Sequence, residues 1–211
     1  MKRLLTLIGA VILTVALASA TPLCSSFYGY DVTTISSCEL GGLTFSSFDV
    51  AFVGLTDATV FLSSSSSASG GDVNLVFQIV TDPSPTTSLA DIKLTYDVSG
   101  IGIDFVDMAL GTFSGNITIT ENVCDEALTL GACDGNTLAS FTVSGSDTIN
   151  NASFTPIDHI WISKDIQLGN GSTLSDFTNS NHFIVPEPVT FFLMGTGLLG
   201  LGLIRRKLRK G

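Results

Sequence analysis

Asp91-Ile92-Lys93-Leu94-Thr95-Tyr96-Asp97-Val98 places Ile92, Leu94, Tyr96 and Val98 on one side and Asp91, Lys93, Thr95 and Asp97 on the other. A period of two is the mark of a β-strand with one buried and one wet face. Other stretches repeat it. Val73, Leu75, Phe77 and Ile79 alternate with Asn74, Val76, Gln78 and Val80; Ile117 and Ile119 alternate with Asn116, Thr118 and Thr120; Ile160 and Ile162 alternate with His159, Trp161 and Ser163. Leu43 to Phe52, Thr59 to Leu62, Ile101 to Leu110, Leu138 to Val143 and Ile166 to Leu168 are weaker strand candidates.

Turn-forming residues punctuate these runs at Gly70-Gly71, Asp82-Pro83-Ser84-Pro85, Ser99-Gly100, Ser114-Gly115, Asp134-Gly135-Asn136, Ser144-Gly145 and Gly169-Asn170-Gly171. Short strands, frequent turns and no helical period predict an all-β body, an antiparallel β-sandwich for which the jelly roll is one form. Phe45, Phe48, Phe52, Phe61, Phe77, Phe105, Phe113, Phe141 and Phe154 are expected between the layers.

The two ends do not belong to that body. Met1-Lys2-Arg3, the apolar run Leu4 to Leu17 and Ala18-Ser19-Ala20 have the three regions of a secretory signal peptide, with cleavage expected before Thr21. At the other end, Val189 to Ile204 carries no charge. As a helix it would extend about 24 Å, slightly less than a bilayer core of about 30 Å. Local thinning and snorkelling of Arg205, Arg206 and Lys207 can close that gap. The basic tail Arg205 to Lys210 puts the C-terminus in the cytoplasm, and the body therefore outside. Pro186 and Pro188 prevent a helix from entering this segment from upstream and hold Val185 and Glu187 extended, the backbone form a peptidase needs. The expected organisation is thus a signal peptide over residues 1–20, an exported domain over 21–184 and a C-terminal membrane segment over 185–211.

Val185-Pro186-Glu187-Pro188, the Gly-rich apolar run and Arg205-Arg206-Lys207 closely resemble the PEP-CTERM sorting signal. The resemblance implies recognition and processing by an exosortase, a membrane peptidase of exopolysaccharide-producing Gram-negative bacteria. It also implies a route from a membrane-tethered precursor to the envelope, surface or extracellular matrix.

Within the exported domain, Lys93 and Lys164 are the only cations against 18 of the chain's 19 acidic residues, a net charge of −16. Such a surface repels nucleic acid and anionic headgroups. It could attract calcium, but no stretch has the alternating oxygen ligands of a calcium loop, so no metal or other cofactor is expected. Cys24, Cys38, Cys124 and Cys133 fit an oxidising compartment. Three pairings are possible. Cys24 with Cys38 and Cys124 with Cys133 close the shortest loops and are expected.

A second, looser resemblance lies in Cys38-Glu39-Leu40-Gly41-Gly42-Leu43-Thr44-Phe45-Ser46-Ser47-Phe48, Glu121-Asn122-Val123-Cys124 and Lys164-Asp165-Ile166-Gln167-Leu168. These are similar to the body of a group of uncharacterised PEP-CTERM proteins. It implies lineage, not chemistry, and would admit a bridge from Cys38 to Cys124 instead of the local pairs.

No nucleophile elbow, zinc-helix motif or phosphate loop is present, and the body lacks arginine to tune a catalytic carboxylate. The expectation is therefore a noncatalytic surface or matrix protein, with a glycosidase as the least favoured class. A glycan-binding, adhesin-like module is the alternative. It would use Trp161 on the polar side of its strand beside His159, with Asp158 or Asp165 bonding sugar hydroxyls and Tyr28 and Tyr30 as further aromatics.

Overall fold

A computed structural model describes residues 21–184; the expected signal peptide and the segment 185–211, with its helix, lie outside the described residues. Two 3-10 turns, Cys24–Phe27 and Val32–Thr34, precede fourteen strands. These are β1 (Ser37–Leu40), β2 (Leu43–Val53), β3 (Asp57–Leu62), β4 (Ser67–Ser69), β5 (Asp72–Asp82), β6 (Ala90–Leu110) and β7 (Phe113–Ser114). They continue with β8 (Ile117–Cys124), β9 (Leu128–Thr129), β10 (Ala132–Cys133), β11 (Thr137–Ser144), β12 (Ile149–Leu168), β13 (Thr173–Leu174) and β14 (Asp176–Phe183). Every ladder between them is antiparallel.

Two long strands organise the molecule. β6 and β12 pair along nearly their whole length, and β6 changes its other neighbour halfway. The first half of β6 pairs with β2 and the second half of β12 with β8, giving the order β1-β2-β6-β12-β8-β11. The second half of β6 pairs instead with β14, which leads on to β5 and β3. The break expected at Ser99-Gly100 is therefore a bend within one strand. Gly102 has φ +66°, and a Cβ on Gly100 would lie 2.2 Å from Leu43 Cδ2, so both glycines let the ribbon turn while staying paired.

The bend lays residues of one half against the other. Tyr96, from the first half of β6, packs with Phe77 of β5 at 5.6 Å between ring centroids, and Phe77 stacks on Phe177 of β14 at 5.2 Å. Ile92, Leu94, Val98, Ile160, Ile162, Val73 and Leu75 complete this interior with no exposure. In β2 the register slips between Ser46 and Asp49, where Ser47 has φ +56°. That bulge turns Phe45 and Phe48, three apart, to the same buried side. Phe52 does not join them; it stands near the end of β2 and is 38% exposed, contrary to the expectation that it fills the core. Both local disulfides form, Cys24–Cys38 and Cys124–Cys133, with Cα separations of 4.7 and 5.4 Å. The Cys38 to Cys124 alternative is thereby excluded.

Candidate functional site

The polar side of β6 forms the floor of a surface groove. Successive outward residues of β6 stand opposite outward residues of its neighbours: Asp97 between Ser46 and Trp161, Lys93 between Ala51 and Asp165, and Asp91 between Val53 and Gln167. Cavities of about 300, 200, 330 and 260 Å³ run along this face and share lining residues from each to the next. Val53 and Asp91 join the first two, Ala51 and Lys93 the second and third, Thr95 and Leu128 the third and fourth. Leu89 and Asn116 border one end, and Trp161 the other.

One wall is supplied by the loop that the Cys124–Cys133 bridge closes. Its β9–β10 hairpin folds over the sheet, and Lys93 Nζ donates to the Leu130 carbonyl at 2.9 Å. Leu130 sits at the hairpin tip with φ +52° and is 93% exposed. At its base, Asn136 donates its side-chain amide to Asp125 Oδ2 at 2.8 Å and its backbone N–H to Oδ1 at 2.6 Å. These bonds favour the charged carboxylate and hold Asp125 below its ordinary value.

Trp161 and His159, the expected ligand-binding pair, are brought together. Their rings stack at 4.0 Å between centroids and 16° between planes. Behind them Asp97, only 5% exposed, receives Ser46 Oγ at 2.9 Å and lies 3.0 Å from His159 Nε2, both through Oδ2. Its Oδ1 is buried with no hydrogen-bond partner. Asp165 is on the same side of the sheet, whereas Asp158 is spent on the bend, accepting from the Gly102 amide at 2.9 Å. Tyr28 and Tyr30 are elsewhere: Tyr28 donates to the Ser66 carbonyl at 3.0 Å, and Tyr30 packs edge-on against Phe27. Among the described residues no group of three His, Cys, Asp or Glu side chains is arranged to hold a metal ion.

Asp91 and Asp165 interact directly. Partial burial of Asp91, then the hydrogen bond and charge of Asp165, push the Asp91 carboxyl up to about 6 against the opposing pull of Lys93. A carboxyl raised in the folded state binds protons more readily there than in the unfolded chain. Its ionisation therefore opposes folding, and stability is gained as pH falls from about 6 towards the ordinary value of 3.8. Asp91→Asn is expected to raise the melting temperature at neutral pH and to flatten its pH dependence in that interval, measured by thermal unfolding across a pH series.

Beneath the groove lies a buried polar cluster that sequence reading missed. Lys164 and Glu121 are directly opposite in the β12–β8 ladder, both fully buried, and their side chains form an ion pair. Asn179 of β14 donates to Glu121 Oε2 at 3.1 Å and to the Asp107 carbonyl at 2.9 Å, and it accepts the Tyr96 hydroxyl. Burial pushes Glu121 up and Lys164 down, and each partner opposes the other's shift. The available signal was parity: Lys164 takes an inward place in Ile160-x-Ile162-x-Lys164-x-Ile166, as Glu121 does in Ile117-x-Ile119-x-Glu121-x-Val123.

No curated protein sequence matches the chain. Among solved structures, TmCBM61 in complex with β-1,4-galactotriose is similar at 16% identity and a TM-score of 0.32, covering 65% of this chain and 86% of that one. The enzymatically active domain of bacteriophage CBA120 tailspike protein 4 is similar at 13% identity and a TM-score of 0.33, covering 66% of this chain and 20% of that one. The apolar tail is more specific: over residues 185–207 the chain carries a PEP-CTERM protein-sorting motif.

Proposed function

We propose that this is a noncatalytic protein of the cell surface or extracellular polysaccharide matrix, delivered through an exosortase acting at Pro186-Glu187-Pro188. The observation that carries this reading is where the motif begins. β14 ends at Phe183, Ile184 still donates its N–H to the Gly102 carbonyl at 3.1 Å, and Val185 of the motif follows at once. A folded acidic body joined so directly to a sorting motif suits a domain displayed at, or released from, the envelope. Tyr96 against Phe77 supports reading that body as a β-sandwich. The noncatalytic part rests on the carboxylates. Asp165 is close enough to Asp91 to push its carboxyl up, whereas glycoside hydrolysis uses carboxyl groups about 5 Å or more apart with the sugar between them.

The intact mass and C-terminal peptide of the protein recovered from its host's surface test this reading. Termination at or near Pro186-Glu187-Pro188 is expected. A tail complete through Arg205 to Gly211 would refute processing.

A second reading, a glycan-binding module, is favoured by the stacked His159–Trp161 pair at one end of a polar groove. An indole beside hydroxyl, amide and carboxylate groups offers a stacking surface and hydrogen-bond partners of the kind sugar recognition uses.

A further inference from the structure

We propose that the groove along the outer side of β6, from Asp91 past Lys93 and Thr95 to Trp161, binds a linear polysaccharide bearing free amino groups. The proposal rests on the glycan-binding reading and names the ligand class. Its shape comes from the strand: at about 3.4 Å per residue, the distance from Asp91 to Asp97 is roughly 20 Å, enough for several sugars of an extended chain. The cavities follow that line without a break in their shared lining.

The charge of the ligand follows from what the groove lacks. Asp49 and Asp91 line it, while its cation Lys93 is already engaged by the Leu130 carbonyl. Three described residues have buried side-chain polar atoms without a hydrogen-bond partner, and two of them, Asp97 and Asp165, belong to this side of the sheet. Both offer oxygens that can only accept while ionised. Neither is among the residues that line the groove, so their unmet oxygens act from beneath it, adding negative field to that of Asp49 and Asp91, and a cationic donor suits that field. Sugar hydroxyls supply further donors, and an ammonium adds charge complementarity with Asp49 and Asp91. Uronate, sulfate or phosphate groups would meet repulsion from Asp49 and Asp91, against Lys93 alone. A cation beside Asp91 would also offset the burial, and the neighbouring Asp165 charge, that make Asp91 reluctant to ionise. Trp161 at the end contributes an aromatic surface for a sugar ring or its ammonium.

The test uses the full chain in detergent with both disulfides formed, titrated calorimetrically near neutral pH, above the value of about 6 to which the Asp91 carboxyl is raised. The probes are a β-1,4-linked glucosamine hexamer, its fully N-acetylated form, a galacturonate hexamer and hexalysine. Trp161, the chain's single tryptophan, gives a parallel fluorescence readout. The glucosamine hexamer is expected to bind at least about tenfold more tightly than the N-acetylated form and than hexalysine, to shift Trp161 emission, and to lose that preference in Asp49→Asn/Asp91→Asn. The galacturonate hexamer should not bind. Equal binding of the N-acetylated form with a Trp161 response would overturn the amine assignment while leaving the glycan-binding reading intact. Equal binding of hexalysine would reduce the effect to charge alone and overturn the proposal. Binding of none of the sugars would overturn both readings.

Discussion

Lys164→Met will lower folding stability by about 3–5 kcal/mol, because it leaves Glu121 as an uncompensated charge in the interior. Both side chains are fully buried, and Lys164 supplies the largest influence that keeps the Glu121 carboxyl from rising further. Removing the lysine therefore raises Glu121 beyond its already elevated position. The sign of the resulting pH dependence follows. A carboxyl whose folded value lies above its unfolded one gains stability as pH falls, so the deficit of the variant will shrink in acid. Lys164→Met/Glu121→Gln should recover most of the loss at neutral pH, since the substituted amide would still accept from the Asn179 side chain without carrying a charge. Urea unfolding of the three proteins across a pH series checks both statements. A single variant as stable as the parent at neutral pH would show that the ion pair is not what satisfies Glu121.

Phe77→Ala is expected to cost a comparable amount, about 3–5 kcal/mol. Phe77 is fully buried, with Tyr96 from the bent-over half of β6 on one side and Phe177 from β14 on the other. Truncation opens a cavity where the two halves of the folded ribbon meet, and neither ring can move in without leaving its own strand position. Phe52→Ala provides the contrast. Its ring is already 38% exposed at the end of β2, so a change within about 0.5 kcal/mol is expected. Thermal and urea unfolding will separate the two, and equal losses would contradict this account of the core.

Much of the sheet was legible because alternation is a local signal. Ile92 to Val98 and Val73 to Ile79 were assigned to strands from their period alone, and in both the alternating apolar residues are buried, joined in the first by Asp97. The cysteine pairs were legible for a similar reason, since short loops close at low entropic cost. β14 was not. Asp176 to Phe183 is mostly polar and has no strong strand preference, yet it lies between β5 and β6 and is hydrogen-bonded on both edges. Its neighbours, not its composition, make it a strand. The same holds for the bend: Ser99-Gly100 reads as a turn, but pairing with β12 continues beyond it and keeps β6 a single strand.

The candidate site divides along the same line. Trp161 and His159 could be placed on one face by parity because they are two residues apart in one strand. Nothing local connects them to Asp91, Asp49 or the hairpin tip at Leu130, which only the lateral order of β2, β6 and β12 and the folded-back disulfide loop bring into one groove. Lys164 and Glu121 share the parity of the buried isoleucines beside them, a signal the sequence reading did not use, although the second resemblance had drawn in both stretches that hold them. Their union depended on a cross-strand register between residues 43 apart in the chain. Period, loop length and terminal composition are properties of neighbouring residues, so the chain alone determined the β class, the disulfides and the sorting motif. Sheet order, the bend at Gly100 to Gly102 and the groove arise from contacts between distant segments, whose energies appear only when those segments meet.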